Sequence, residues 1–410
     1  MLSASRAPPG GKCVPEGPAW PEIWKALSNI CWRQRPVKGF PGRTETFHPH
    51  LHDKDTTVSV KLTEVARQAG VSLATASRVL NGSARTPAPA IADRVRAAAE
   101  ELGYVANAQA QALARSTTGL VGLVVHDIAD PYFSTIAHGV QETALQHRRQ
   151  VLLAGTDIAG GEPEGSAELS AVNAFISYRT DAIILAASRL QDEDPRVSSA
   201  LGRYIKNGGR VVALGSTGIP GALSLPLPNR EGAAALAAAL LDRGHTRFAI
   251  LAGPPERNTA RYRVEGFTAA LAAAGIEPMA VVPGAFNSRG GYDATLECLD
   301  LPGMPVAAEA GKNDGGAPGL CILAANDVMA LGAMTALRSR GLRIPEDVQV
   351  AGFDDIPTLR DHSPGLTTYR LPLEDIGRIA AGLALDPNGA PAPGITGEVV
   401  LRESAGAARG

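Results

Sequence analysis

The side chains best suited to recognition chemistry lie in one stretch, LTEVARQAGVSLATASRVLNG, which runs from Leu62 to Gly82. Its second half carries an arginine, an asparagine, hydroxyls and small apolar groups, the side chains that read base edges in the major groove of DNA. Spacings of four and five residues put most of them on one face of a helix. The candidate DNA-contacting residues here are Leu73, Ala74, Thr75, Ser77, Arg78 and Asn81.

Two short helices joined by a tight turn would position this set. Val65, Ala66 and Ala69 give the first helix an apolar stripe. Gly70 then supplies the left-handed residue that a sharp turn requires. Ser72 suits the N-cap of the second helix, because its hydroxyl can accept from backbone N–H groups of the first turn. The pattern predicts a helix-turn-helix. The alternative is an ordinary helical hairpin whose outer face is merely solvated.

A third amphipathic helix and a local excess of positive charge accompany the hairpin. Apolar residues recur at helical spacing until Gly103 ends the helix, and Tyr104 is expected to cover the core. From Val58 to Ser116 there are seven basic and four acidic residues, whereas the whole chain of 410 residues has a net charge of −2. A small basic module on an acidic body suits DNA contact through one end. The apolar positions of the third helix are Ile91, Val95, Ala98, Ala99 and Leu102.

From Gly119 onward, apolar runs of strand length alternate with helical stretches. This alternation predicts parallel sheets covered on both faces, with ligands bound at the carboxyl ends of the strands. The runs are too many for one compact sheet. They are Leu120–Val125, Val151–Ala154, Ala182–Ala186, Val211–Leu214, Phe248–Ala252, Leu320–Ala324 and Val348–Ala351, and the helical stretches include Phe133–Gln146, Glu231–Leu241, Arg263–Ala274 and Val328–Arg340.

Residues that could support catalysis, metal binding or membrane insertion do not form the required patterns. Asp354 and Asp355 are adjacent, so on or just after a strand they point to opposite sides and cannot face one substrate bond. No nucleophile elbow, P-loop or dinucleotide-binding glycine loop is present. The four cysteines form no CxxC pair, and His48, His50 and His52 have no matching ligands nearby. No apolar run approaches the ~18 residues of a membrane span, and no signal-peptide core is present. We expect a cytoplasmic protein that is no enzyme, with no metal or cofactor.

Further motifs accompany the helix-turn-helix in a fixed order along the chain. They are Leu62–Gly82, Glu101-Leu-Gly-Tyr104, Asn107, Ala110–Ala114, Asp127-Ile-Ala-Asp-Pro-Tyr-Phe133, Gly244-His245, Ala252-Gly-Pro254, Arg263 with Gly266-Phe267, Ala325-Asn-Asp327 and Gly352-Phe-Asp-Asp355. With these motifs the chain resembles the lactose/galactose repressor (LacI/GalR) family over about residues 58 to 405.

The resemblance implies an order of domains. Residues 58–105 would form an all-α helix-turn-helix headpiece, and 106–117 a hinge. Residues 118–405 would form an α/β effector-binding and dimerisation domain like the periplasmic binding proteins, with two lobes of doubly wound parallel sheet and the chain crossing between them. Residues 1–57 hold all three tryptophans and eight prolines without a sustained period, so we expect a disordered tail or a mis-assigned start. Residues 406–410 would be a short tail.

The resemblance also assigns DNA contacts to the hinge. In the family such a hinge folds only on operator DNA, and the leucine matching Leu113 wedges into the minor groove, as kinking side chains do. Asn107 and Ala110 are the other candidate contacts. Ala106 stands where the family usually has proline, which leaves the hinge less preset. The alternative is a plain alanine-rich linker.

An effector site is the third implication of the resemblance. An arginine and an aspartate can clamp vicinal hydroxyls, an asparagine can donate and accept, and aromatic rings can stack on a sugar. Core packing of the two aromatics and a surface salt bridge of the arginine are the alternatives. Gly215 and Leu371 stand where sugar-binding members often have polar residues, so a less hydroxylated ligand, a nucleoside or a purine remains open. The candidate effector residues are Tyr132, Phe133, Arg263, Asn326 and Asp354.

The function predicted is that of a sequence-specific DNA-binding transcriptional regulator, expected to be a repressor, controlled by a small sugar-like effector between two lobes. One helix-turn-helix reads only a half-site, so we expect at least a homodimer, with higher oligomers left open, on a pseudo-palindromic double-stranded operator. The alternative is a solute-binding protein of the same two-lobed fold, which would need export and no headpiece. A doubly wound oxidoreductase comes third and lacks the dinucleotide loop.

Overall fold

The apolar runs of the sequence form two parallel sheets, and the amphipathic stretches form the helices beside them. A computed structural model describes residues 60–81, 87–105, 117–156, 164–187, 194–304, 319–386 and 394–406. The expectations for the tail 1–57 and for Asn107, Ala110 and Leu113 concern residues outside this part of the chain.

Three short helices build the N-terminal headpiece: α1 (Leu62–Gln68), α2 (Leu73–Asn81) and α3 (Pro89–Glu101). Tyr104 packs against their core, as predicted. The core side chains are small, which lets the helices cross closely. They are Val65, Ala66, Ala69, Ala76, Val95, Ala98 and Ala99.

A five-stranded parallel sheet forms the first lobe. Its strands are β1 (Leu120–Val125), β2 (Gln150–Gly155), β3 (Ala182–Leu185), β4 (Arg210–Leu214) and β5 (Leu223–Leu225), and its helices are α4 (Pro131–Gln146), α5 (Glu164–Ser177) and α6 (Pro195–Lys206). The strand order is β2-β1-β3-β4-β5. Along β1, Leu123 lies in the core shared with α4, whereas Val124 lies in the cluster with α5 and α6. Alternate residues of one strand therefore pack against helix layers on the two faces of the sheet.

A four-stranded parallel sheet forms the second lobe. Its strands are β6 (Arg247–Leu251), β7 (Ala280–Val282), β8 (Leu320–Ala324) and β9 (Val348–Ala351), and its helices are α7 (Asn229–Leu241), α8 (Asn258–Ala273), α9 (Ser288–Leu299) and α10 (Asp327–Ser339). The strand order is β7-β6-β8-β9. Both sheets thus have their first strand between the second and the third, the doubly wound arrangement whose crevice binds ligands. The predicted fold class is confirmed.

The chain crosses between the lobes more than once. It enters the second lobe at α7, and after β10 (Thr368–Arg370) it returns as α11 (Leu373–Leu385), before β11 (Glu398–Val400) pairs antiparallel with β10. Helix α11 packs so closely on α4 that a Cβ on Gly139 would stand 2.1 Å from the carbonyl oxygen of Glu374. Only glycine permits this approach. Helix α11, although late in the chain, therefore packs as part of the first lobe.

The structure differs from the sequence prediction mainly at short strands and helix starts. Strands β5, β7 and β11 were not predicted, because three residues are too few to show a period. Helix α8 begins at Asn258, whereas the sequence predicted a start at Arg263. The first turn was missed because it is polar and faces the crevice between the lobes, so it shows no apolar spacing. Within the described ranges, no helix has the length and apolar character needed to cross a membrane. The same ranges contain no group of three His, Cys, Asp or Glu side chains that could hold a metal ion.

Candidate functional site

The turn between α1 and α2 sets the direction of the candidate recognition helix. Gly70 has a φ of +62°, the left-handed conformation predicted for it. The Ser72 hydroxyl accepts a hydrogen bond from the backbone N–H of Thr75 at 3.1 Å, so Ser72 caps α2 as predicted. Ala76, on the inner face of α2, is fully buried. One face of α2 is thereby fixed to the headpiece core, and the other is left outside.

Helix α2 carries the six candidate base readers, and all of them except Thr75 share its outer face. Leu73 is 49% exposed, and Ala74 and Arg78 are also exposed. Thr75, by contrast, is half-buried, and its Oγ1 lies 2.8 Å from the Ser72 hydroxyl. The Nδ2 of Asn81, which is also half-buried, donates to Ser77 at 3.0 Å. The structure therefore brings the six residues onto one helix, with the freest side chains at its first turn and at Arg78.

A cleft opens between the two lobes at the carboxyl ends of their strands. It holds about 780 Å³, open solvent at its mouth included. All five candidate effector residues, which come from both lobes and are up to 222 positions apart in sequence number, line it, as the switch points of two doubly wound sheets predict. They are Tyr132, Phe133, Arg263, Asn326 and Asp354.

Arg263 makes four hydrogen bonds in the wall of the cleft. Its Nη2 donates to Asp354 Oδ1 at 2.6 Å, and its Nη1 donates to Asp354 Oδ2 at 3.3 Å. Nη1 also donates to the carbonyl oxygen of Ala325 at 2.6 Å, and Nε donates to Asn229 Oδ1 at 2.9 Å. The guanidinium lies 3.9 Å from the ring centroid of Phe353. Because Arg263 is only 2% exposed, it is no surface salt bridge, the alternative weighed from the sequence.

The backbone at Asp354 has an uncommon conformation. Asp354 has a φ of +114° and Asp355 a φ of +55°, values that L-residues rarely adopt. The Asp354 N–H donates to the carbonyl oxygen of Tyr369 at 2.8 Å, which ties it to the crossover strand β10. Asp355 turns away and pairs with Arg370 and Arg402, both at 2.7 Å. The two adjacent carboxylates thus serve different arginines, and strain of this kind is typical of functional sites.

Two buried carboxyl groups lie near one another in the second lobe. Burial raises the pKa of Asp354 to about 6, although Arg263 opposes this by attraction and hydrogen bonding. Burial raises the pKa of Asp327 well above its usual value, and the charge of Asp354 adds to that effect. Asp327 accepts from the Thr368 hydroxyl at 2.7 Å and from the Ile356 N–H at 3.0 Å. Protonation of either carboxyl group therefore requires less acid than in water.

Asn326 is bonded to the helix that follows it. It is the N-cap of α10, and its Oδ1 accepts from the Met329 N–H at 2.9 Å. The carbonyl oxygen is therefore already engaged by the helix. The amide nitrogen can donate to a ligand, while the carbonyl oxygen has one of its two lone pairs engaged by the cap.

The aromatic pair on the first lobe is set by the start of α4. Asp130 caps this helix, its carboxylate accepting from the Tyr132 N–H at 2.9 Å. The rings of Tyr132 and Phe133 meet edge to face with centroids 4.9 Å apart. Burial raises the pKa of the Tyr132 phenol, which keeps it neutral. Phe133 also belongs to the hydrophobic core, so it both packs in the core and lines the cleft.

Several cleft residues were not found from the sequence. Arg257, at the N-cap of α8, is 3% exposed, and its Nη2 lies 3.3 Å from Nδ1 of His126 on the other lobe. Asn229, Tyr262 and Phe286 also line the cleft. His126 directly follows β1, which was a usable signal, since ligand-binding residues collect after parallel strands. For the others, nothing local distinguishes a cleft residue from a surface one.

The two positions that depart from the family pattern have different locations. Gly215 lies in the cleft wall and adds no side chain there. Leu371 is 3% exposed and packs in the core, while its N–H donates to the Asp354 carbonyl oxygen at 3.2 Å. Of these two substitutions, only Gly215 lies where it could remove a polar partner from the cleft.

Known proteins share both regions. A model of bacterial regulatory proteins of the lacI family matches residues 61–107, and one of a periplasmic binding protein-like domain matches residues 237–405. The HTH-type transcriptional regulator GalS of Salmonella typhimurium strain LT2 is 35% identical over 330 residues, which cover 80% of this chain and 89% of that protein. This chain belongs to the LacI family.

Two solved structures extend the family likeness. The Lac repressor dimer bound to operator and the anti-inducer ONPF has a TM-score of 0.70 and 26% identity, with 84% of this chain and 99% of that chain covered. The complex of the regulator CelR with cellobiose has a TM-score of 0.56 and 28% identity, with the same coverage. As a LacI family member, this chain is a sequence-specific DNA-binding transcriptional regulator.

Proposed function

We propose that this LacI family regulator reads its operator with α2 and answers to a neutral, sugar-like effector held in the interlobe cleft. The proposed base-reading residues are all on α2: Leu73, Ala74, Thr75, Ser77, Arg78 and Asn81. Arg78 is exposed and long enough to bind a guanine edge, and Leu73 and Ala74 suit thymine methyls. Asn107, Ala110 and Leu113 of the hinge would add minor-groove contacts.

A homodimer on a pseudo-palindrome is part of the proposal. One helix-turn-helix covers one half-site, so two-fold pairing supplies the second. The solved Lac repressor is a dimer on its operator, and its TM-score of 0.70 with this chain supports the same assembly. The proposal includes the domain limits 58–105, 106–117 and 118–405. Action in the cytoplasm, where the DNA lies, belongs to the same proposal.

The observation that carries the effector proposal is the buried Arg263–Asp354 pair in the cleft wall. Its opposite charges cancel at 2.6 Å, so the pair presents polar groups without a net charge. A neutral polyol can bond to both members, whereas a charged ligand would disturb the balance. The Asn326 amide is a further donor, and the rings of Tyr132 and Phe133 offer apolar faces for the C–H side of a sugar. The CelR complex with cellobiose makes a sugar a reasonable first choice.

Effector control requires that ligand binding change the relation of the lobes. Tyr132 and Phe133 belong to the first lobe, whereas Arg263, Asn326 and Asp354 belong to the second. A ligand that contacts both sets favours a closed cleft. It shifts DNA affinity only by its differential affinity for the two states, typically ~1–3 kcal/mol of coupling. The proposed site binds its ligand and does not catalyse a reaction.

The test begins with a thermal-shift screen of neutral sugars, sugar phosphates, nucleosides and purines on the full chain. A compound that raises the melting temperature is then added to the protein on a duplex selected by the wild type from random sequence. Affinity with and without the compound measures the coupling. A neutral sugar that shifts both melting and DNA affinity supports the proposal, and a hit confined to phosphates or purines overturns the ligand class.

Asn326→Asp is the sharpest variant for the cleft, because the carboxylate keeps the helix cap and removes the amide donor. Asn287→Asp is its matched control. Asn287 caps α9 in the same way, its oxygen accepting from the Gly290 N–H at 2.7 Å, but it does not line the cleft. We expect Asn326→Asp to lose the thermal shift and Asn287→Asp to keep it. Equal shifts in both variants would place the effector elsewhere.

A further inference from the structure

The strand ends of the first lobe that lie opposite the cleft are held together by one carboxylate, that of Asp181. Its Oδ1 accepts from the Thr118 N–H at 2.8 Å, and its Oδ2 accepts from the Gly119 N–H at 3.0 Å. Arg149 Nη1 donates to the same Oδ2 at 2.7 Å. Two successive backbone N–H groups on one carboxylate form an anion-binding nest, here occupied by the protein's own side chain.

These contacts join the starts of three neighbouring strands. Asp181 immediately precedes β3, Gly119 precedes β1, and Arg149 comes just before β2. The sheet order β2-β1-β3 places the three starts side by side. Main-chain bonds complete the junction, because the Asp181 N–H donates to the Leu120 carbonyl oxygen at 2.8 Å. The carboxylate therefore acts where the chain enters the lobe.

The backbone around Asp181 is unusual at each entry. Gly119 has a φ of +77°, Arg148 a φ of +55° and Arg179 a φ of +54°. Left-handed residues other than glycine are uncommon and persist where surrounding contacts hold them. The Thr118 hydroxyl donates to the Arg179 carbonyl oxygen at 2.8 Å, which connects two of these turns. The direction in which the chain leaves Thr118 is thus set by several bonds that meet at Asp181.

We propose that Asp181 is a positioning residue for operator binding, because it fixes the direction in which the DNA-binding end leaves the first lobe. Thr118 directly follows the segment 106–117 that joins headpiece and lobe. Strand β1 then runs six residues, about 20 Å, from this junction to His126 in the cleft wall. Asp181 thereby sits at the far end of the strand that leads from the cleft to the DNA-binding end.

A positioning role and a purely structural role can be told apart by the type of DNA binding that a substitution weakens. Specific binding needs both headpieces in register with their half-sites, whereas non-specific binding needs only positive charge near phosphates. If the chain direction at Thr118 is no longer fixed, specific binding should weaken and non-specific binding should stay the same. The ratio of the two affinities is therefore the measurement that decides.

Asp181→Asn is the main variant, since it keeps the shape and removes the charge and one acceptor oxygen. Asp194→Asn is the matched control: Asp194 also accepts from a backbone N–H and from an arginine, both of Arg196, in the same lobe. Affinity is measured with the full chain by fluorescence anisotropy. The probes are the duplex that the wild type selects from random sequence and a scrambled duplex of equal length, at one salt concentration.

We expect Asp181→Asn to weaken the selected duplex by about tenfold, or about 1.4 kcal/mol, with less than a twofold change on the scrambled duplex. Asp194→Asn should keep both affinities within twofold. A folded Asp181→Asn protein whose affinity ratio equals that of the wild type overturns the proposal. If Asp181→Asn does not fold, Thr118→Val and Arg149→Gln decide in its place, since each removes one partner of the junction. An unchanged ratio in both would equally overturn it.

Discussion

The outer face of α2 and the wall of the effector cleft use polar side chains in opposite ways. On α2, Leu73 is 49% exposed, and Arg78 is also exposed. In the cleft, Arg263 is 2% and Asp354 3% exposed, and the protein's own groups bind both. An exposed side chain keeps its hydration until DNA replaces it. A buried ion pair has lost that water, so its partners must be built into the fold.

On the headpiece, the residues that stabilise the fold differ from those that would recognise DNA. In the cleft, the same residues would do both. The headpiece is held by apolar residues such as Val65 of α1 and Ala76 on the inner face of α2, away from its outer face. Changes on that face should therefore affect binding alone. In the cleft the bonds that present Arg263 to a ligand also satisfy buried charges. Changes there should alter folding and ligand binding together.

The largest effect is expected from Arg263→Ala. It leaves the Asp354 carboxylate buried without its partner, so the free energy of unfolding should fall by about 3–5 kcal/mol. Urea unfolding of the α/β domain measures this. The control is Arg289→Ala, because Arg289 pairs with Asp293 at the surface with 79% and 51% of the side chains exposed, and should lose no more than about 1 kcal/mol. A loss as small as the control's would mean that the cleft tolerates change as α2 does.

The pH dependence of the same pair comes next. The pKa of Asp354 is about 6 in the folded protein against 3.8 for the free group, so the folded state holds this proton more tightly. Its contribution to stability is complete below pH ~4 and is lost as pH rises to ~6, by roughly 2–3 kcal/mol.

Urea unfolding at several pH values tests this, with Asp354→Asn as the reference that cannot titrate. The difference in stability between the wild type and Asp354→Asn removes the effects of carboxyl groups that do not interact with Asp354; it retains the coupling to the neighbouring Asp327. As pH rises from about 4 to about 6, the wild type should lose stability relative to Asp354→Asn. A flat difference across that range would show that Arg263 keeps Asp354 ionised throughout.

Arg78→Ala should have a smaller effect, and on DNA binding only. Loss of a base contact costs about 1–3 kcal/mol and relaxes discrimination at one position in each half-site. Stability should stay within about 0.5 kcal/mol, as for other surface changes. Anisotropy titrations on duplexes altered at each position measure both effects. Equal weakening on every duplex would assign Arg78 to a phosphate, and a large loss of stability would end the contrast with the cleft.

The smallest effect is expected from Ser72→Ala, which removes the cap of α2. The hydroxyl accepts from the Thr75 N–H at 3.1 Å, and loss of such a cap costs about 1 kcal/mol. Hydrogen exchange should quicken in α2 while melting of the lobes stays unchanged. Ser72→Asn restores a capping oxygen and should restore protection. Unchanged exchange in Ser72→Ala would show that packing on Ala76 alone holds the helix.

Local patterns were sufficient to predict the headpiece and the layers of the lobes. Gly70 and Ser72 act within a few residues of themselves, so their spacing predicted the turn and the cap. Strand β1 was predicted with its observed limits, because a six-residue apolar run is long enough to recognise. The five effector candidates came from a resemblance to ordered family motifs. The structure brings these five residues into one cleft, and their contacts with an effector stay a prediction.

Tertiary structure alone decided which of these groups meet. Arg263 and Asp354 are separated by 91 positions, and their pairing depends on how α8 and the end of β9 close on each other. The left-handed backbone of Asp354 and the engaged oxygen of Asn326 likewise follow from contacts with other elements. Asp181 carries no local sign of its role at the Thr118 junction. Spacing along the chain determines which face of a helix or strand a residue occupies, whereas partners and burial arise only when distant elements pack together.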